Sequence, residues 1–136
     1  MYCSRILIAI VCLATAACTA GEREERSPEL SSAEWLSCHG DAMALAALVK
    51  LDIPKALDAE DMIRRGGPDD AYALDYAGTA RDEYLRLTSS EDPERKAQMV
   101  AEHSIRNARR LLQKNDGELE KRIDRITRNL SVCFPR

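Results

Sequence analysis

Two cysteines, Cys38 and Cys133, each lie on an apolar seam of helical period. Trp35, Cys38, Ala42, Leu45 and Val49 step by 3, 4, 3 and 4 residues, and Leu119, Ile123, Ile126, Leu130 and Cys133 step by 4, 3, 4 and 3. Such spacing draws one stripe along each of two helices. A bond between Cys38, at the start of the first seam, and Cys133, at the end of the last, lays these helices side by side and antiparallel. The chain between them must then fold as a small bundle closed by one disulfide.

The intervening sequence supplies the other helices. A short segment through Leu57, Met62 and Ile63 has Asp58 as a candidate N-cap, or Pro54 as its opening, and Gly66-Gly67-Pro68 as its stop. The next is expected from Pro68 to Thr88, with Pro68 in its first turn. At about 100° per residue, Ala73, Tyr76, Ala77, Ala80, Tyr84 and Leu87 share one arc, and Ala71, Leu74, Gly78 and Leu85 share a neighbouring one. Two apolar arcs predict a helix covered on two sides. Asp92-Pro93 opens a fourth helix with Ala97, Ala101, Ile105, Ala108 and Leu112 inward, and Asn115-Asp116-Gly117 separates it from the last. No segment alternates with a period of two, so the expected class is all-α, a four- to five-helix bundle. Many inward positions are Ala or Gly, which bury little area, a deficit the disulfide offsets.

The N-terminus carries a different signal. Arg5 is the only charge before Glu22, and Ile6 to Ala17 is an apolar run too short to span a bilayer, ending in small residues before Cys18. Ala14-Thr15-Ala16-Ala17-Cys18 resembles a bacterial lipobox. The expected organisation is a leader over 1–17, a lipidated Cys18 with a polar tether over 18–30, and a helical domain over 31–136. Thr19, being other than Asp, resembles outer-membrane sorting and implies a lipid anchor facing the periplasm; simple secretion into the periplasm is the alternative. Removal of the leader discards Cys3 and Cys12, and lipidation occupies Cys18. Cys38 and Cys133 are then the two thiols left for a disulfide in an oxidising compartment.

The net charge of −3 argues against nucleic acid as a partner, but its distribution is uneven. From Glu22 to Glu94 there are 18 acids against 8 bases, and from Arg95 to Arg136 there are 5 against 11. Within the basic half, Glu102 with Arg106, Glu118 with Arg122 and Asp124 with Arg128 stand in the order that favours pairing on a helix. Arg109, Arg110, Lys114, Lys121 and Arg125 lack such partners and are candidates to meet an acidic protein or anionic lipid. Acids gather at Asp58, Glu60, Asp61, Asp69 and Asp70, where helix N-termini favour them and where a partner could also be met. Tyr72, off the main apolar arc, is the candidate exposed aromatic anchor.

No catalytic or metal-binding pattern appears. The two histidines, His39 and His103, stand in no ligand motif, and there is no Gly-rich phosphate loop, GxSxG or CxxCH. The expectation is a non-enzymatic envelope protein without cofactor or metal, whose partner is an envelope or incoming effector protein. An inhibitor or immunity-type lipoprotein, neutralising a periplasmic toxin or lytic enzyme, comes first. An assembly factor resembling the helical pilotins, which hold an amphipathic helix of a secretion pore subunit in a groove, is the alternative. A periplasmic stress chaperone is the third.

Overall fold

The computed structural model describes residues 29–66 and 72–135. The expected leader, Cys18, nearly all of the tether, Pro68, Asp69 and Asp70 lie outside the described residues. Among the described residues there are five helices and no strand: α1 Ser32–Lys50, α2 Pro54–Gly66, α3 Ala73–Leu87, α4 Pro93–Lys114 and α5 Glu118–Cys133.

Local chemistry sets their ends. Ser31 caps α1 in a reciprocal box, its hydroxyl accepting from Glu34 N–H while the Glu34 carboxylate accepts from Ser31 N–H at 2.6 Å. The Ser31 backbone N–H first, and then the Ser31 side chain, hold the Glu34 carboxyl below the ordinary carboxylate range. Pro54, and not Asp58, opens α2, after a turn in which Asp52 takes a left-handed conformation. The start expected at Pro68 falls at Ala73 instead. There Tyr72 N–H donates to Asp75 at 2.8 Å, and Ala73 N–H donates to the Glu60 carboxylate at 3.0 Å, a cap delivered from α2. Asp92 is the N-cap residue of α4, but it acts through a left-handed backbone and its side chain makes no cap bond. The break between α4 and α5 uses two more left-handed residues, Asn115 at φ 50° and Gly117 at φ 82°.

Helix α1 is the axis of the bundle. Cys38, His39, Gly40, Asp41, Ala42, Ala44, Leu45 and Leu48 are all buried, a wider surface than the single stripe expected. Helices α3, α4 and α5 all pack on it. Cys38 and Cys133 form the disulfide, and Asp41 meets Arg122 near the opposite end of α5, which makes α1 and α5 antiparallel neighbours. Every residue of the seam predicted on α5 is buried. Gly40 sits where α4 approaches most closely: a Cβ there would lie 2.7 Å from Ser104 Oγ and 2.9 Å from Val100 Cγ1. The small inward residues Ala97, Ala101, Ser104 and Ala108 of α4 permit this approach. At the disulfide end, the Phe134 ring packs on Trp35 and Tyr76, with centroids 5.7 and 4.5 Å away.

The ion pairs expected along α4 and α5 do not form. Glu102 accepts from Gln98, Glu118 pairs with Lys121, Asp124 pairs with Lys55 of α2, and Arg122 goes to Asp41 of α1. Two of these replacements are interhelical, Arg122 with Asp41 and Asp124 with Lys55, and two stay within one helix, Gln98 with Glu102 and Lys121 with Glu118.

Candidate functional cleft between two helices

Helices α3 and α4 both rest on α1 yet scarcely touch each other, and the space between them is a cleft with α1 as its floor. It consists of two depressions that share Met43 and Leu74. The first, about 630 Å³, is floored by His39, Ala77 and Ala101 and ends among Arg81, Asp92, Glu94 and Arg95. The second, about 320 Å³, is lined by Ala46, Ala47 and Ile105 and opens past Leu51, Lys50 and Arg109.

The residues explain the shape. His39 is buried, and its Nδ1 lies 2.8 Å from the Ala77 carbonyl oxygen, so the tautomer protonated at Nδ1 donates to it and ties α1 to α3 under the cleft. Arg81 of α3 faces Glu94 of α4 at 4.0 Å and spans the cleft at the α3–α4 loop. The other end is more apolar: Leu74 is 63% exposed and Leu51 is 48% exposed. Small residues at 46 and 47 keep the floor low between Met43, Leu74 and Ile105. The arrangement can bind an apolar ridge, and it leaves large apolar groups in water when empty.

The second apolar arc predicted on α3 is therefore left uncovered over part of its length, while Leu85 is half-buried and Ala71 lies outside the described residues. Leu74 and Gly78 are exposed on the cleft wall, while the first arc, with Ala73, Tyr76, Ala77, Ala80 and Tyr84, is buried. Sequence reasoning missed Leu74, Met43 and Ile105 as site residues. The signal was present in that second arc, which identifies an apolar face without identifying what covers it.

The predicted partner-binding residues that lie among the described residues are not gathered into one surface. Asp58 is exposed beside Lys55, Met62, Asp124 and Arg128 in a depression between α2 and α5. Glu60 caps α3, and Asp61 pairs with Arg64 and Arg65 at 3.2 and 2.6 Å. Tyr72 is 53% exposed, as expected, but its ring lies under the Arg64 guanidinium at 5.3 Å and its hydroxyl accepts from Arg64. The Tyr72 hydroxyl first, and then Asp61, raise the Arg64 guanidinium above its ordinary value. Arg109 borders the cleft, and Arg110, exposed on the next position, donates to Asn107 at 3.1 Å. Of the other cations expected to be unpaired, Lys121 is held by Glu118. Cys38 and Cys133 lie together as the disulfide, both buried.

His103 is exposed on α4. Among the described residues, no group of three or more His, Cys, Asp or Glu side chains could hold a metal ion, and no helix is long and apolar enough to cross a membrane. No protein-family model matches the chain, and comparison with curated proteins and with solved structures finds none similar to it. The class defined by fold and site is thus an all-helical, disulfide-closed domain with an apolar cleft between two of its helices.

Proposed function

We propose that this chain is a non-enzymatic lipoprotein of the bacterial envelope that binds another protein, and that the α3–α4 cleft receives an amphipathic helical segment of that partner. The observation that carries the reading is the apolar mouth of the cleft, where Leu51 and Leu74 stand exposed beside Met43 and Ile105. The mode is that of a pilotin-like assembly factor. The disulfide supports an oxidising compartment, and the lipobox-like sequence ending at Cys18 supports a lipid anchor at the outer membrane. An inhibitor of the immunity type acting through its acidic region would need free carboxylates. Glu60 and Asp61 are instead engaged within the domain, which favours the cleft over the acidic surface.

The test is capture of partners from envelope extract by the oxidised chain, comparing wild type with Leu74→Asp and with Asp58→Asn/Asp61→Asn. The cleft reading expects one stoichiometric partner that Leu74→Asp loses and the double variant keeps. The reverse pattern would assign binding to the acidic surface.

A further inference from the structure

We infer that the segment received by the cleft is an acidic amphipathic helix, lying with its carboxylates at the Leu51 end against Lys50 and Arg109; this rests on the cleft being the partner's site. The cleft is asymmetric in charge. At its Arg81 end the cations have carboxylates beside them, Asp92 and Glu94, with Glu94 facing Arg81. At its Leu51 end the described lining holds Lys50 and Arg109 and no carboxylate.

Arg109 also belongs to a longer stripe. Arg106, Arg109 and Arg110 stand three and four residues apart on α4, so they project from one side of the helix, and all three are exposed. None of them, nor Lys50, forms an ion pair with a described carboxylate; Arg110 reaches only the Asn107 amide oxygen. Like charges so gathered repel one another in the free domain, and an external acid relieves that repulsion. Apolar relief gives an occupant affinity, while the cations fix which end of it lies at the mouth. An anionic membrane would satisfy the charges but not the recess, whose apolar floor lies between three helices, so a protein helix fits both features.

The experiment uses the full oxidised chain and two labelled helical peptides with the same leucine face, one flanked by glutamates and one by lysines. Fluorescence anisotropy is expected to give the glutamate peptide an affinity about tenfold higher at low ionic strength, an advantage that shrinks as salt is added. Arg106→Glu/Arg109→Glu is expected to reverse the preference, and Leu74→Asp to weaken both peptides. Equal binding, or tighter binding of the lysine peptide, with sensitivity to Leu74→Asp retained would overturn the acidic occupant and leave the cleft standing. Binding of neither peptide, or binding indifferent to Leu74→Asp, would overturn the cleft and this inference with it. Phosphatidylglycerol vesicles that bind wild type but not the charge-reversed chain, without any peptide preference, would assign the cations to a membrane and likewise overturn it.

Discussion

Arg122 reaches across the α1–α5 interface to Asp41 at 2.7 Å, and not along its own helix to Glu118. Asn129 donates to the second Asp41 oxygen, also at 2.7 Å, so α5 satisfies both oxygens of a carboxylate whose side chain is only 9% exposed. Beside the disulfide, this contact sets how α5 sits along α1. Asp41→Ala removes the counter-charge of a guanidinium whose side chain is 20% exposed and whose Nε already has no partner among the described residues. The expected loss is about 3–5 kcal/mol in urea unfolding, with much of it recovered by the apolar pair Asp41→Leu/Arg122→Met. A loss below about 1 kcal/mol would describe a surface pair and contradict this account.

Gly40 offers a test with an unusual sign. In an exposed helix interior, Gly→Ala stabilises by up to about 1 kcal/mol. Here the new methyl would press on Ser104 Oγ and Val100 Cγ1, so Gly40→Ala is expected to cost about 1–3 kcal/mol. Adding Val100→Ala and Ser104→Ala should restore the ordinary gain from alanine at position 40. Thermal unfolding of Gly40→Ala against wild type, and of the triple variant against Val100→Ala/Ser104→Ala, checks both expectations.

The Cys38–Cys133 bond closes a sequence separation of 95 residues around a core rich in alanine. Cys38→Ala/Cys133→Ala is expected to lose about 4–5 kcal/mol, chiefly through greater freedom of the unfolded chain. Urea unfolding of this variant against the oxidised domain gives the difference directly. A loss under about 1 kcal/mol would mean that packing alone holds the first and last helices together.

The first turn of α1 carries a pH dependence through Glu34. Its folded-state carboxyl titrates below its unfolded value, so the contribution is present above the unfolded value and is lost as the pH falls through the folded one. Amide chemical shifts of Ser31 to Trp35 should therefore move toward coil values as the pH falls below the ordinary carboxylate range, and Glu34→Gln should abolish that step. An identical acid transition in Glu34→Gln would assign the effect to another group.

The helices were legible in the sequence where large apolar residues repeat. The seam from Leu119 to Cys133 is buried in full, and the break at Asn115 to Gly117 is where its turn residues place it. Burial all round α1 from Cys38 to Ala42 was not legible, because Gly40, His39 and Asp41 carry no apolar signal and are accommodated by Ser104, Ala77 and Arg122 on other helices. The start of α3 was misplaced for the same reason: its cap comes partly from Glu60, a contact between helices. The cleft was half legible. Its apolar wall at Leu74 stands out in the helical arc, but only the divergence of α3 and α4 shows that this wall is open.

Site-specific photo-crosslinking in cells producing the full chain tests the central claim most directly. A photoreactive residue at Leu74, in the cleft, is compared with one at Val132, which is 62% exposed on α5. The account predicts one dominant envelope-protein adduct at position 74, its attachment sites spaced at helical intervals along a single segment, and none at position 132. No adduct at 74, or the same adducts at both positions, would contradict it.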